Sequence, residues 1–362
     1  LYRSNAQSRI IEHALFSAGL PYRVYGGLRF FERMEIKHAL AYLRLSANPD
    51  DDNAFLRVAN FPARGIGART LEQLQDAAKA GVVSLTKAAS GLSGKAGAAI
   101  GVFLRLVESL KAETQGLPLP EAVEVMLAKS GLVAHYKAER DGADRVENLE
   151  ELVNAAAAFV SEADEQDLPA FLAHAALESG ENQAAEGADA LQLMTVHSAK
   201  GLEFHAVFIT GLEEGLFPHE QSAIEDDGLE EERRLMYVAI TRARTKLYLC
   251  HAQTRMLHGQ TRYNVPSRFL DEIPAEVVKH LTPRMGRGRF DDVAWAPAPE
   301  KAFREVLPDH GFRIGQSVLH PKFGQGVIVS AEGSGTDARL QINFGRQGMK
   351  WLALEYAKLT AA

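Results

Sequence analysis

The sequence predicts an α/β domain that is interrupted by an all-α insertion and followed by a small C-terminal β-barrel. Strand and helix patterns alternate at the start of the chain and again from Leu191, whereas residues 30–177 show only the apolar spacing of helices. After residue 310, short alternating strands are separated by turns that contain glycine. These observations together favour a parallel sheet, a helical insertion and a small β-barrel.

The elements follow in a simple order. A helix is expected over residues 6–18 and a short strand over residues 22–25, which the pair Gly26-Gly27 closes. After the insertion, strands are expected over 191–196 and 206–212, with the turn "HSAKGLEF" between them. An acidic loop, a helix and the strand "KLYLC" complete this region.

Composition places the chain among globular proteins with a substantial core. It has 362 residues, of which 46% are hydrophobic and 24% are charged. No stretch reaches the ~18 uninterrupted apolar residues of a membrane helix, and no signal peptide is recognisable, so we expect a cytoplasmic protein. The single Cys250 excludes an internal disulfide. No Cys/His cluster has zinc-ligand spacing, so we expect no structural metal.

Charge is distributed unevenly along the chain. The net charge of −7 argues against a uniformly basic nucleic-acid binder. Residues 1–70, however, contain ten Lys or Arg against six Asp or Glu, whereas residues 139–190 contain two against fourteen. The acidic block therefore leaves room for basic patches elsewhere on the surface.

One arginine breaks the pattern of the helix in "EEERRLMYVAITRARTKLYL", residues 230–249. At about 100° per residue, Leu235, Val238 and Ala239 form an apolar stripe, and Arg242 is the next position on it. A guanidinium on a buried face needs acceptors, either a nearby carboxylate or the charge of a ligand. Glu231 and Glu232 are expected only to favour the start of this helix.

Five segments, in this order, resemble the C-terminal half of UvrD/Rep/PcrA-type superfamily 1 DNA helicases. They are "LYRSNAQSR", "GGLRFFERMEIKHALAYLRL", "RGIGART", "LMTVHSAKGLEFHAVFITGLEEGLFPH" and "EEERRLMYVAITRARTKLYL". The resemblance implies a RecA-like domain 2A made of residues 1–28 and 183–280, with a helical subdomain 2B, residues 29–182, inserted into it. A flexible linker, 281–309, and a Tudor-like barrel, 310–362, would follow.

The resemblance implies the C-terminal portion of a bacterial, nucleoid-associated, ATP-dependent 3′-to-5′ DNA helicase of DNA repair. ATP and Mg²⁺ would bind only together with a domain 1A that carries a phosphate-binding loop and an acidic metal motif. Here "GLSGKAG" has the wrong spacing and an alanine after Lys95, and "DEQD", 164–167, follows no apolar strand. We therefore expect no ATP hydrolysis by this chain alone. The alternative is a stand-alone DNA- and protein-binding module without ATPase activity.

For the nucleotide, the resemblance assigns Arg242 a catalytic and ATP-binding role, because this arginine reaches the γ-phosphate when 2A closes on 1A. In this chain by itself, Arg242 is expected to be paired with a substitute acceptor. The resemblance places Glu203 near the ribose of the nucleotide. The alternative for Glu203 is a surface glutamate after the tight turn at Gly201.

For single-stranded DNA, the resemblance indicates strand-end and loop positions suited to phosphate and sugar contacts. They are Arg3, Asn5, Thr195, His197, His219 and His258. A lone histidine is more often structural. His258 also departs from the family, because relatives carry there an aromatic that stacks on a base, and an imidazole offers less area.

For duplex DNA, "RGIG" resembles the turn with which 2B grips the phosphate backbone, so Arg64, Gly65 and Gly67 are predicted contacts, with Arg69 adding charge. An ordinary turn between two helices fits the same spacing. The expected nucleic-acid partners are single-stranded DNA and junctions of single- and double-stranded DNA.

In the barrel, Phe323, Phe344 and Trp351 are expected in the core, and an exposed protein-binding face is the alternative. The resemblance implies that this domain docks partners such as RNA polymerase or repair proteins.

Overall fold

A computed structural model describes residues 1–140, 142–163, 166–179, 189–220, 222, 227–257, 260–281, 312, 316–332, 338–344 and 349–361. The chain divides into two compact units. The first contains residues 1–209, 238–248 and 256–261, and the second contains residues 210–237, 249–255 and 262–362. Two predictions lie outside the described residues, namely His258 and, beyond Leu281, the linker 281–309. The predicted domain boundaries stay predictions.

The first unit contains an α/β segment that the helical insertion interrupts. Helix α1, Ser8–Ser17, leads to strand β1, Tyr22–Val24, which pairs in parallel with strand β2, Leu191–Leu193. Tyr2 also forms a parallel bridge with Thr195. Tyr2, the two outer residues of β1 and Leu193 form a small buried core under α1. Strands that are neighbours in space are therefore separated in sequence by the whole insertion.

The insertion consists of helices throughout the part that the structure describes, as the sequence predicted. They are α2, Met34–Ala47; α3, Asp52–Val58; α4, Ala68–Gly81; α5, Leu85–Ala88; α6, Gly94–Thr114; α7, Leu119–Ser130; α8, Leu132–Lys137; α9, Gly142–Glu162; and α10, Leu168–Glu178. Asp51 and Asp167 cap α3 and α10 by accepting backbone N–H bonds. One apolar core, rich in aromatic residues such as Phe55, Phe103 and Phe171, joins the helices.

Arg33 ties the insertion to the start of the chain. Its guanidinium donates to the Asn5 carbonyl oxygen at 3.0 Å, to the Ser8 hydroxyl at 2.6 Å and to the Asn148 side-chain oxygen at 2.8 Å. Burial lowers the pKa of Arg33 from its ordinary value. Because leaving a buried guanidinium unpaired is costly, these bonds hold Asn5 and α1 against α2 and α9.

The elements between the insertion and the C-terminal region, apart from β2, include two short sheets and two helices. Strand β3, Phe204–Ile209, pairs with β4, Ala243–Leu249, and β5, Thr254–Leu257, pairs with β6, Gln260–Tyr263. Helices α11, Gly228–Ile240, and α12, Arg268–Asp271, complete this region. Among the described strands, β1–β2 and β3–β4 are separate pairs, so the predicted single parallel sheet is confirmed only in its parallel first pair.

The C-terminal region is a curled antiparallel sheet. Its strands are β7, Ser317–His320; β8, Gly324–Glu332; β9, Arg339–Asn343; β10, Met349–Ala353; and β11, Thr360–Ala361, in the order β10-β9-β8-β7-β11. Phe344 is buried in its core and Phe323 packs against that core, as predicted. The prediction was wrong for Trp351, which is 45% exposed on the edge strand β10.

None of the helices in the described parts of the chain combines the length and the apolar character that crossing a membrane requires.

Candidate functional site

Arg242 lies in the turn between α11 and β4, not on the helix. α11 ends at Ile240, and its buried residues are Glu232, Met236 and Ala239, whereas Leu235 and Val238 are only half-buried. The predicted apolar stripe was therefore wrong, because the buried face of the helix contains Glu232 and Met236 in place of Leu235 and Val238. Arg242 is half-buried because of the turn that follows the helix, and not because of helical periodicity.

The guanidinium of Arg242 is held by three neutral acceptors. Nε donates to the Val238 carbonyl oxygen at 3.0 Å, Nη1 to the Leu202 carbonyl oxygen at 2.7 Å and Nη2 to the Thr241 hydroxyl at 3.0 Å. The expectation of substitute acceptors is met, although these acceptors carry no formal charge. A phosphate could take over these donors without leaving a carboxylate unpaired, which fits an anionic ligand.

The turn after Gly201 is joined to Arg242 through the backbone as well. The Phe204 N–H donates to the Arg242 carbonyl oxygen at 2.8 Å. Glu203, the predicted ribose contact, lies in the same turn, but its carboxylate is 3.3 Å from Nε of Arg244 and both side chains are largely exposed. Glu203 is thus next to Arg242 and is paired with a solvated arginine.

Three chain segments converge at the predicted surface for single-stranded DNA. Tyr2 donates its N–H to the Met194 carbonyl oxygen and accepts from the Val196 N–H at 2.9 Å, so Arg3 and Asn5 leave this bridge beside the loop that begins at Thr195. The Thr195 hydroxyl accepts from the Ser198 N–H at 3.1 Å, which closes the loop. His197 is exposed on it.

Gly26 belongs to the third segment, which packs on the loop at Ser198. Its φ is +75°, and an added Cβ would lie 2.5 Å from the Ser198 hydroxyl oxygen. The backbone of the Gly26-Gly27 turn therefore packs directly on the loop, which any side chain would obstruct. Of the predicted contacts, the structure brings together Arg3, Asn5, Thr195 and His197.

His219 belongs to the second unit and is positioned by a buried glutamate. Its backbone N–H donates to Glu232 at 3.1 Å, and Glu232 is 3% exposed. The expectation that Glu232 only favours the start of a helix was therefore wrong. Glu231 is exposed and pairs with Arg234 one turn along α11. The sequence does indicate the burial of Glu232, because Glu232, Met236 and Ala239 are spaced so that they lie on one face of the helix.

Sequence reasoning missed a second buried glutamate, Glu213, in the same unit. It is fully buried and accepts from Nε and Nη2 of Arg255 at 2.6 and 2.9 Å, from the Ala252 N–H at 2.7 Å and from Asn264 at 3.1 Å. Four donors neutralise and orient this carboxylate. Glu213 therefore fixes the loop that leads to His219.

The "RGIG" turn lies between α3 and α4. Gly65 has φ +76°, and Gly67 precedes α4 as its N-cap, without a side-chain cap. Arg64, in contrast, is directed inward. Its guanidinium donates to the carbonyl oxygens of Val58, Pro62 and Ser130 and lies over the rings of Tyr42 and Phe103. Arg69, in the first turn of α4, is exposed.

Comparison with protein families identifies the class of protein. The UvrD-like helicase C-terminal domain matches residues 1–254, and the PcrA/UvrD tudor domain matches residues 314–360. The chain belongs to the UvrD-like helicase C-terminal domain family, and the resemblance drawn from the sequence is confirmed.

Individual relatives agree with this assignment. The chain is 48% identical to DNA helicase II of Escherichia coli (strain K12), over 99% of this chain and 51% of that protein. It is 38% identical to the ATP-dependent DNA helicase PcrA of Bacillus subtilis (strain 168), again over 99% of this chain and 51% of the relative. The chain thus spans about half the length of the curated relatives it matches.

Proposed function

We propose that this chain is the C-terminal portion of an ATP-dependent 3′-to-5′ DNA helicase that acts in DNA repair. It would supply an arginine finger, a surface for single-stranded DNA and a helical 2B subdomain that grips duplex DNA. The observation that carries the proposal is the Arg242 turn, whose guanidinium is preorganised on neutral acceptors in a chain of the UvrD-like family.

Arg242 would act by neutralising charge on the transferred phosphoryl group. A planar guanidinium offers two parallel donors to phosphate oxygens, and its value is greatest where charge develops in the transition state. Its bond to the Leu202 carbonyl oxygen links it to the loop that also carries Glu203. ATP and Mg²⁺ would bind between this surface and domain 1A, and we infer that this chain alone does not hydrolyse ATP.

The single-strand surface would be built from the segments that converge at the Tyr2–Thr195 bridge. Arg3 and Asn5 follow that bridge directly, and His197 is exposed on the adjoining loop. Such groups contact phosphates and sugars without reading the base sequence, which suits a protein that translocates along any sequence. His219 is proposed as a separate DNA contact within the second unit.

The duplex contact would be made by the backbone at Gly65 and Gly67 together with the exposed Arg69. Arg64 would support the turn from inside, because its donors are used by three internal carbonyl groups. This assignment refines the predicted role of Arg64, which becomes a positioning residue.

A pair of substitutions in the full-length protein separates these roles. Arg242→Ala should lower DNA-stimulated ATP turnover by about 1,000-fold or more, as removal of an arginine finger does, while single-strand binding remains. Arg69→Ala should leave turnover on single strands intact and weaken binding to tailed duplex DNA, with a smaller salt dependence because one phosphate contact is lost.

The measurements are steady-state ATPase assays and salt-dependent binding titrations with both DNA substrates. Arg234→Ala is the matched control and should keep ATP turnover, because Arg234 is exposed and pairs with the exposed Glu231 on the helix that precedes Arg242. Unchanged ATP turnover in Arg242→Ala would reject the arginine finger. If the full-length protein bound DNA but lacked ATPase activity altogether, the DNA- and protein-binding module would be the better assignment.

A further inference from the structure

Two histidines and a glutamate that are far apart in the sequence meet in the first unit. His13 lies on α1, and His174 and Glu178 lie on α10. Nδ1 of His13 is 2.6 Å and Nε2 of His174 is 3.0 Å from the same oxygen, Oε1 of Glu178. One donor atom from each residue lies within 4.8 Å of the others. This set is suited to a divalent cation, because imidazole nitrogen and carboxylate oxygen are the usual non-sulfur ligands of zinc.

The positions of these residues on their helices explain why the three side chains meet. His174 and Glu178 are four residues apart on α10, so they project from the same face one turn apart. Glu178 is the last residue of α10, at the negative end of the helix dipole, and its carbonyl oxygen accepts from Nη1 of Arg29 at 3.3 Å. His13 approaches from α1 on the opposite side.

The distances are close to those that a zinc ion requires. With metal–ligand bonds of about 2.0 to 2.2 Å, ligand atoms of a tetrahedral site are about 3.4 Å apart. The observed separations of 2.6 and 3.0 Å would have to open by less than 1 Å. An ion would take the place of the protons between the imidazole nitrogens and the carboxylate. Each imidazole would bind as the neutral ring with its one proton on the other ring nitrogen, and only a proton beyond that one, from a ring protonated at both nitrogens, would pass to solvent.

The surroundings provide both room and support. The three side chains line a cavity of about 240 Å³ with Phe159 and Phe171, which leaves space for a water ligand. Nε2 of His13 is 2.9 Å from Oε2 of Glu162, on α9. If Nδ1 of His13 binds the ion, Nε2–H donates to Glu162, which is the usual carboxylate support of a metal-bound imidazole.

The nearby arginines have carboxylate partners of their own. Nε of Arg9 is 2.5 Å from Glu151, and Nη2 of Arg29 is 3.1 Å from Glu32. Their charges are therefore largely neutralised, and two carboxylates, Glu178 and Glu162, remain for the cation and its ligands.

We propose that His13, His174 and Glu178 bind one zinc-class divalent cation, with Glu162 orienting His13. The prediction of no structural metal considered only spacing along the chain, whereas this set forms through tertiary contact between α1 and α10. Because α1 precedes β1 and α10 precedes β2, the ion would tie together the two ends of the helical insertion. The proposal does not depend on the helicase function.

The test is metal binding by the untagged 362-residue chain after treatment with a chelator. Calorimetry with Zn²⁺ should give one site per chain, and Zn²⁺ should raise the melting temperature. Co²⁺ should produce the visible absorption of a nitrogen- and oxygen-ligated tetrahedral ion. His13→Gln, His174→Gln and Glu178→Gln should each lose more affinity than Glu162→Gln, for which about 10- to 100-fold is expected.

His135→Gln is the matched control, because His135 also pairs with a carboxylate, Glu139 at 3.3 Å, but lies on α8 outside this cluster. It should bind Zn²⁺ like the parent chain. Absence of Zn²⁺ binding, or binding that the three ligand substitutions leave unchanged, would show a hydrogen-bonded cluster without a metal. If a variant fails to fold, the imidazole NMR signals of His13 and His174 in the parent chain, which must shift on Zn²⁺ binding if these residues are ligands, still decide the question.

Discussion

Glu213 shows at the residue scale how one buried charge can organise a loop. Its carboxylate is fully buried and receives bonds from Arg255, the Ala252 N–H and Asn264. Desolvating a carboxylate is costly, and only a complete set of donors compensates for that cost. The described residues next to Glu213 are therefore held together around its carboxylate.

Glu213→Gln should lower the free energy of unfolding by about 2 kcal/mol, because the charge-assisted bonds that the half-buried Arg255 donates to the carboxylate are lost. Urea titration followed by circular dichroism measures this change. Glu231→Gln is the control and should have no measurable effect, because Glu231 and Arg234 are both exposed. Equal stability of the two variants would contradict the importance given to Glu213.

Arg242 and Arg64 differ in which parts of the chain their hydrogen bonds join. Both are half-buried, and both donate chiefly to backbone carbonyl oxygens. The donors of Arg64 hold together the turn after α3 and the C-terminal end of α7, so it stabilises the insertion. The donors of Arg242 meet carbonyl and hydroxyl oxygens of the turn after α11 and the Leu202 carbonyl oxygen, all of them uncharged acceptors.

At the scale of elements, α11 shows why periodicity alone misplaced Arg242. The sequence predicted that the apolar stripe continues to Arg242, but the helix ends at Ile240 and β4 begins at Ala243. The buried face also includes Glu232, a charged residue that no hydrophobicity pattern would place inside. The backbone bond from His219 makes that burial possible, and it exists only in the folded chain.

Strand β10 exposes apolar side chains at the edge of the described C-terminal sheet. It is an edge strand, and Met349 and Trp351, two positions apart, are 56% and 45% exposed. Alternate residues of a strand share one face, so these side chains form an apolar surface beside the barrel core. We propose that this surface contributes to docking of RNA polymerase or a repair protein.

Trp351→Ala should weaken binding to purified RNA polymerase by about 10-fold or more, because exposed tryptophans frequently dominate interface energies. Binding can be measured by surface plasmon resonance with the full-length protein. Tyr356→Ala is the control, because Tyr356 is an exposed aromatic of the same domain outside β10. Equal binding by both variants and the parent would exclude β10 as the docking surface.

At the scale of the whole molecule, buried histidine links stability to pH. His38, on α2, stacks on Phe61 with ring centroids 3.8 Å apart, and its Nδ1 is 2.8 Å from the Tyr136 hydroxyl. Burial, together with the charges of Arg57, His135 and Arg145, lowers the pKa of His38 from 6.5 to about 4. Between these two pKa values, His38 is therefore protonated in the unfolded chain and neutral in the folded chain.

Because the folded chain keeps His38 neutral, its contribution to stability is fully present above about pH 6.5. That contribution is lost as the pH falls toward about 4, since the unfolded chain takes up the proton first. We expect His38→Gln to lose less stability than the parent chain between about pH 7 and about pH 5. Melting temperatures of both proteins across this range provide the measurement. His13, whose pKa is raised chiefly by its bond to Glu178, is present in both proteins and cancels from the difference. Parallel pH profiles would contradict the burial argument.

The sequence by itself determined the family and the order of the structural regions along the chain. Hydrophobic periodicity separated the α/β segments from the helical insertion and the C-terminal strands, because strand and helix periods depend only on local geometry. The ordered motifs around Arg3, Thr195, Gly201 and Arg242 identified the class of protein, since their residues are close enough in sequence to be read as units.

Tertiary structure alone decided which side chains meet and which remain accessible. It paired Arg242 with the Leu202 carbonyl oxygen, turned Arg64 inward, left Trp351 exposed and brought His13 to Glu178. Each of these contacts joins segments from different elements or depends on which strand forms the edge of a sheet. Their energies come from desolvation and from complete sets of hydrogen-bond partners, which exist only once distant segments have packed together.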